Sequence, residues 1–511
     1  MRSPSSQATR TIHVEWVAVV AAVVQWVHFA RMPLDAKLAY VPDDGFYYLQ
    51  LAREFQRSGR WSFDGESLTS GFHPLFGYLC AASERLFGNT SIDARLCIHT
   101  AVATVLTCMS VLWMGRVMRR VFPAGVTLAV LFVGLAGAIM MCPLLVMEWP
   151  FVVVCATGAA WSFSERRERW LFAFVLVGCA ARTDFPVNGA AIVVACVWAF
   201  WREREKAYMR LAGASALASF LGGALAAAHS YAISGHLLQS SARVKAHWGS
   251  VKGYSIASAA DAAAYTLSPA YVLIRPLDLG PATVFAVFGL LAIVAFSVRN
   301  HLRTLATAKA ALIVYSVTAI ALFCVVYGTN SAAAMLWYSA EFWVPMFCLV
   351  AALASLLGAR AKLGALVLGA LCAAVNLVDG WRPTWREHAG VEDARVLRND
   401  AAITRAGSWN AGWLAYAGGE KVVNLDGLVN DDIVDDIIHD RVHCFVAKKQ
   451  LRYIVDCGNW LEPSKLKYLG VSNGKLVHAM KLEDHGFLGR VVWRVDLEEL
   501  NADPSCGGAP R

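Results

Sequence analysis

Charge is what this sequence has least of. Only 16% of its 511 residues are Asp, Glu, Lys or Arg, against 57% hydrophobic, a balance too apolar for soluble domains of any number. Paired Cys or Cys/His zinc spacings are missing, which excludes the common structural zinc modules. Most of the 13 cysteines, such as Cys108, Cys155, Cys179, Cys324 and Cys372, fall inside apolar runs, where a thiol behaves as a small hydrophobe. No convincing small-residue cleavage site follows the first apolar run, Val14 to Phe29, so that run reads as a retained anchor rather than a removed signal peptide. Internal repeats and paired broken helices, the usual marks of a transporter, are lacking as well. The net charge of +8 does not point to nucleic acid, because the basic residues form short clusters between apolar runs instead of lining one face. These absences leave a polytopic membrane protein.

At about 20 apolar residues per span, runs fall at 14–31, 97–118, 124–146, 149–164, 208–233, 280–298, 308–328, 341–358 and 361–378. The segment 170–201 is apolar at both ends but broken by Arg182, Thr183, Asp184 and Pro186, which fits two short helices better than one. Read as a hairpin of two spans, it puts the clusters Arg116/Arg119/Arg120, Arg166/Arg167/Arg169, Arg202/Arg204/Lys206, Arg299/Arg303/Lys309 and Arg360/Lys362 on one side, as the positive-inside rule requires. The count is then about 11 spans with a cytoplasmic N-terminus.

The expected fold is therefore an α-helical polytopic membrane protein. Residues 1–378 form its transmembrane domain with an outer loop at 33–96, and residues 379–511 form a small periplasmic α/β domain. In the latter, 391–406 reads as helical, and Lys421 to Leu425, Leu451 to Asp456 and Leu488 to Val495 read as strands. Cys444 and Cys457 are candidates for a disulfide that the outer compartment permits. In the outer loop, Phe46 to Arg57 reads as a helix lying flat on the membrane, with Gln50, Arg53, Glu54 and Arg57 off its apolar face, and Leu75 to Phe87 as a second interfacial helix.

The chemistry concentrates in Tyr40 to Leu75. Asp43 and Asp44 sit between Pro42 and Gly45 at the mouth of the first span. The plainer role of such a pair is to cap the following helix, but one acid can cap while the other stays available. Adjacent carboxylates repel, which raises one pKa and suits a general base. Arg182 and Asp184 at the hairpin turn form either a mutual ion pair or one wall of a polar cavity, and Glu148 ends a span beside Met147 and Trp149. Farther on, Ser240, Ser241, Arg243 and Lys245 combine hydroxyls and cations suited to a phosphate, within an outer loop that also carries His236, His247, Lys252 and Arg275. The aromatic pair Trp337-Tyr338 falls at the outer face, where an interface belt is its ordinary role. Together these residues suit transfer of a group from a lipid phosphate to a hydroxyl.

Several stretches resemble the bacterial members of the GT-C superfamily of integral-membrane glycosyltransferases, which use polyprenyl-phosphate sugars. They are Asp43 to Leu49, Phe63-Asp64-Gly65 leading to Thr69 to Leu75, Met147-Glu148, Ala181 to Asp184, Ser240 to Lys245, and Trp337-Tyr338, in the family's order. Gly407 to Gly412 and Asn424 to Asn430 also look like segments of such relatives. Thr183 replaces an expected proline and Ala242 an expected glycine, neither change removing a charge. The Trp-Trp-Asp motif of oligosaccharyltransferases is missing from the C-terminal part, which speaks against en bloc glycan transfer.

The resemblance implies a GT-C-like bundle in the bacterial inner membrane, a polyprenyl-phosphate sugar donor, and a glycan, lipid or protein acceptor. It implies Asp44 or Asp43 as catalytic base and Arg182, Arg243, Lys245 and His73 on the donor phosphate, with Tyr48, Glu148, Asp184, Trp337 and Tyr338 around the acceptor cavity. No cofactor is expected. Asp43 and Asp44 are of the type that ligates a divalent cation, but no further ligand is placed beside them, so no metal is assigned. The rivals are a lipid-linked sugar transporter or flippase and a non-catalytic membrane scaffold.

Overall fold

In a computed structural model of the chain, residues 15–121, 142–252, 306–330, 339–356, 390–419 and 422–506 are described. The runs at 280–298 and 361–378, most of 124–146, and Arg275, Trp337 and Tyr338 lie outside them. The helices are α1 (Glu15–Arg31), α2 (Leu34–Leu38), α3 (Asp43–Ser58), α4 (Pro74–Phe87), α5 (Ile92–Val121), α6 (Trp149–Ser164), α7 (Glu168–Ala181), α8 (Pro186–Glu203), α9 (Lys206–Ser234), α10 (Ser240–Lys252), α11 (Thr307–Asn330) and α12 (Ser339–Leu356). Among the described residues, three stretches, Ile92–Val121, Lys206–Ser234 and Thr307–Tyr327, are long and apolar enough to cross a membrane, and Ala18–Arg31, Trp149–Ser164 and Ala340–Leu349 are shorter apolar helices. This is a multi-pass membrane protein.

The segment 170–201 is two helices, as its polar break requires. Arg182 is extended at φ −155 and Pro186 opens α8, where a missing N–H is harmless. α9 packs on α7 and α8, α11 on α8 and α12, and α5 on α1 and α6, around one apolar core. Polar side chains within α5 are satisfied locally, since Thr100, Thr104, Thr107 and Ser110 each donate to the carbonyl four residues back. Ion pairs Arg119 to Glu15, Arg120 to Glu165 and Arg166 to Glu203 and Glu205 gather the first three basic clusters at one end of the bundle.

The C-terminal part adds α13 (Val391–Asn399), α14 (Gly412–Gly418), α15 (Val434–Ile438) and α16 (Val442–Lys448), with strands β1 (Ala406–Ser408), β2 (Val422–Asn424), β3 (Tyr453–Asp456), β4 (Met480–Glu483) and β5 (Val491–Val495). They form one sheet in the order β2-β1-β3-β5-β4. β1 is parallel to β2 and β3, whereas β5 is antiparallel to β3 and β4. The three strand-like segments of the sequence are β2, β3 and β5; β1 (Ala-Gly-Ser) and β4 (Met-Lys-Leu-Glu) lack the β-branched residues that mark a strand.

The outer loop does not simply lie on the membrane. Tyr47, Tyr48, Leu51, Phe63, Phe72 and Phe76 share one buried core with Ile403, Trp409, Val423, Leu425 and Val429. α3 touches both α4 and α14. Gln50 and Glu54, expected off the apolar face, are buried, because α3 is covered on more than one side; Gln50 donates to the Phe63 carbonyl at 2.9 Å. Each large side chain buried in this shared core contributes about 1.5–3 kcal/mol. Partly exposed links such as Arg405–Glu66 add about 0–1 kcal/mol each, so apolar burial holds the loop to the C-terminal part.

The disulfide joins Cys444 to Cys506, with Cα atoms 5.1 Å apart, and Cys457 is buried outside it. The expected Cys444–Cys457 pairing is thus corrected: Cys457 follows β3 into the sheet, while Cys506 closes back on α16. Peptide mapping without reduction should recover the 444–506 link. Cys444→Ser is expected to destabilise the C-terminal part by about 2–5 kcal/mol, read as a lowered unfolding temperature; a 444–457 peptide would contradict the assignment.

Candidate active site

α3 begins immediately after Pro42, with Asp43 and Asp44 in its first turn, where the helix dipole favours negative charge. The two carboxylates part company there. Asp43 is buried and accepts from the backbone N–H groups of Gly412 at 2.8 Å and Trp413 at 3.0 Å. It therefore holds the start of α14, a helix more than 360 residues away, rather than capping its own. A Cβ at Gly412 would overlap the Asp43 carbonyl oxygen, so only glycine permits this approach. Asp44 instead turns into a cavity of about 310 Å³.

That cavity lies where the outer loop, the α7–α8 turn, α10 and the segment following β2 meet. Gln239 ties three of these together, donating to the Phe72 carbonyl at 2.7 Å and accepting from Thr183 at 3.3 Å. Ser240 donates through its N–H to Ser70 and through its hydroxyl to the Leu428 carbonyl. Asp431 accepts from Thr69 and Ser70. Gly71 sits at the junction, where a Cβ would overlap the Leu428 carbonyl oxygen and crowd the Ser240 hydroxyl.

Asp44, Tyr48, His73, Glu148, Arg182, Asp184 and Lys245 all line the cavity, so the structure brings together seven of the residues picked from sequence. Burial raises the Asp44 carboxyl to about 6; Lys245 pulls it down, while Asp43 and Glu148 push it up. Burial also holds His73 below the ordinary imidazole range, against the pull of Glu148. Its Nδ1 accepts from the Thr183 N–H at 3.4 Å and its Nε2 lies 3.6 Å from Glu148. The imidazole therefore offers an Nε2–H and no positive charge.

Arg182, only 2% exposed, is enclosed by carboxylates: Asp184 at 3.0 Å, Glu148 at 3.4 Å and Glu341 at 3.7 Å. Asp184 also accepts from the Tyr327 hydroxyl at 2.7 Å. Both sequence readings of Arg182 and Asp184 hold at once, since they pair and they line the cavity. Val146, a β-branched residue at φ 52, makes the tight turn before Met147 and Glu148; such strain persists only where the surroundings impose it.

Arg243 is the exception among the expected phosphate contacts. The segment read as a loop is the helix α10, and residues two apart on a helix point to opposite sides. Ser241, Ala242, Lys245 and Ala246 line the cavity, while Arg243 turns away to Asp435 at 2.6 Å. Trp337 and Tyr338 fall outside the described residues. Sequence reading did not single out Tyr47, Gln239, Tyr327, Glu341 or Asp426. Glu341 was detectable as a carboxylate opening an apolar run; Asp426 lay inside a stretch quoted only for its resemblance.

Among the described residues, the only metal-ligand grouping is His443, Cys444 and Cys506. It is not part of the cavity, and its two sulfurs are joined in the disulfide.

Two solved membrane-protein structures share this fold. The crystal structure of ArnT from Cupriavidus metallidurans bound to undecaprenyl phosphate aligns with a TM-score of 0.59 at 12% identity, over 94% of this chain and 98% of that one. The Archaeoglobus fulgidus oligosaccharyltransferase in complex with zinc and sulfate aligns with a TM-score of 0.52 at 13% identity, over 88% and 68% of the two chains. At such identities the likeness is one of fold. No family model and no curated protein sequence matches the chain.

Proposed function

We propose that the chain is an inverting glycosyltransferase that moves a single sugar from a polyprenyl-phosphate donor to an acceptor hydroxyl at the periplasmic face of the bacterial inner membrane. The observation that carries this reading is one cavity that holds the Asp44 carboxylate together with Lys245 and the start of α10. A helix N-terminus with a lysine on the same face is a natural anion seat, and ArnT, with the same fold, was solved with undecaprenyl phosphate bound. In this reading residues 1–378 are the transmembrane catalytic part, with its outer loop at 33–96, and residues 379–511 the periplasmic part.

The chemistry balances as a single displacement. Asp44 takes the proton of the acceptor hydroxyl as that oxygen bonds to the anomeric carbon from the face opposite the phosphate. The bond from anomeric carbon to phosphate oxygen breaks, and its electron pair leaves with the polyprenyl phosphate, whose charge Lys245 and the positive end of the α10 dipole stabilise. Arg182 orders Glu148 and Asp184 along the wall, while His73 offers an uncharged donor. Tyr48 lies within reach of an incoming acceptor.

Purified protein in lipid bilayers, given a panel of labelled polyprenyl-phosphate sugars and membrane-derived acceptors, should transfer one of them; movement across the bilayer without transfer would instead favour a transporter. Binding of undecaprenyl phosphate separates the two cations of α10. Lys245→Ala removes a charge-assisted bond worth about 1.5–3 kcal/mol, so affinity should fall about 10- to 150-fold. Arg243→Ala should leave it within about twofold, because that guanidinium faces Asp435. Equal losses in the two variants would place Arg243 back on the phosphate.

A further inference from the structure

A buried hydroxyl beside the cavity has more acceptors around it than it has hydrogens. Tyr47 Oη lies 2.7 Å from Asp426 Oδ2 and 3.0 Å from the Trp409 carbonyl oxygen, and Asn424 Nδ2 donates to it at 3.3 Å. The Asn424 amide cannot be turned around, since its Oδ1 accepts from the Gly427 N–H at 3.1 Å. Tyr47, Trp409, Asn424 and Asp426 are all buried. A tyrosine hydroxyl donates one hydrogen and accepts up to two. If Asp426 is ionised, that one hydrogen goes either to the carboxylate or to the carbonyl. The other contact is then two oxygens at hydrogen-bond distance with nothing between them, an expensive arrangement in a buried site.

One assignment satisfies every atom. The Asp426 hydrogen goes to Tyr47 Oη, the Tyr47 hydrogen goes to the Trp409 carbonyl, and Asn424 fills the second acceptor position of the hydroxyl. The remaining Asp426 oxygen accepts from the Leu428 N–H at 2.7 Å. We propose that Asp426 is held as the neutral acid by Tyr47 and acts as a positioning residue, keeping a second negative charge away from Asp44. Its role, though not its protonation, rests on reading Asp44 as the base.

The electrostatics agree with the hydrogen count. Burial raises Asp426 to about 7 and the charge of Asp44 reinforces it, even with Leu428, Tyr47 and Asn424 counted as donors to its carboxylate; giving the Tyr47 hydrogen to Trp409 instead removes one of those opposing bonds. The titratable groups facing it from α3 are Tyr47 and Asp44. Asp44 is raised less, to about 6. With Asp426 neutral, the charges acting on Asp44 are those of Lys245, Asp43 and Glu148. Were Asp426 ionised as well, its charge would add to those of Asp43 and Glu148, holding Asp44 protonated to higher pH and leaving less of it in the free-base form near neutrality.

Infrared difference spectroscopy of the full-length protein in bilayers reads this without any substrate. The spectrum of the parent minus Asp426→Asn isolates the Asp426 carboxyl, and the asparagine keeps one donor for Tyr47 and one acceptor for Leu428, so the fold is retained. A neutral-acid C=O band should be present at pH 6 and should fade only at a higher pH than the corresponding Asp44 band, isolated against Asp44→Asn. A carboxylate signal alone at pH 6, or Asp426 losing its proton before Asp44, overturns the proposal. Those outcomes leave the sugar-transfer reading standing, whereas full transfer by Asp44→Asn would remove that reading without touching the Asp426 band.

Discussion

Asp44→Asn is expected to slow sugar transfer by about 10²- to 10⁴-fold, the usual contribution of a positioned general base. Undecaprenyl-phosphate affinity should survive, because asparagine leaves Lys245 and the start of α10 in place. The pH profile supplies an independent check. With the Asp44 carboxyl raised to about 6, the base is protonated below that value, so transfer by the parent protein should fall about tenfold per pH unit on the acid side. Asp44→Asn should lack this limb. Asp43→Ala should differ in kind, weakening the start of α14 by about 0.5–2 kcal/mol and lowering the unfolding temperature more than the rate per folded molecule. If Asp44→Asn transfers sugar at the parent rate, the catalytic reading of the loop is wrong.

The largest stability effect should come from Arg182→Ala. The guanidinium sits among Glu148, Asp184 and Glu341, with Glu341 fully buried. Removing one partner of a buried ion pair costs about 3–5 kcal/mol, because the remaining charge has no compensation. That is a large share of the stability of most domains, so thermal unfolding in detergent should shift down sharply, with aggregation during purification as its extreme form. Arg182→Lys should recover part of the loss by restoring the charge without the planar fork. An unchanged unfolding temperature for Arg182→Ala would mean that the carboxylates around it are already neutral.

The sequence was informative wherever the membrane imposes its own rule. Apolar length gave the main helices, and the charged break at Arg182 to Pro186 gave the α7–α8 turn, because a bilayer tolerates neither feature by accident. It was also informative on cavity composition, since Asp44, Glu148, Arg182, Asp184 and Lys245 are expensive near a membrane without a use. It was least informative where partners come from distant parts of the chain. That Asp43 holds α14, that Gln50 and Glu54 are buried, and that Tyr47 meets Asp426 all depend on contacts between segments hundreds of residues apart, which no local periodicity encodes. Arg243 failed for a local reason, once α10 proved helical and turned alternate residues away from each other. Cys506 was missed because pairing depends on distance rather than on neighbouring sequence.

The core shared between the outer loop and the C-terminal sheet has a consequence for how the protein is made. Tyr47 meets Asp426 across 379 positions of sequence, and Asp43 meets Trp413 across 370. During synthesis the outer loop emerges among the first segments, yet the surface that buries its aromatic residues arrives only after the last helices of the bundle have been inserted. Until then Asp44 lacks the wall formed by Leu428 and Val429. Loop closure on this scale is slow, which leaves an interval in which Phe63, Phe72 and Trp61 are uncovered and open to chaperones or proteases. A chain interrupted before residue 426 would hold Asp44 and most of the cavity wall but not the part formed by Leu428 and Val429.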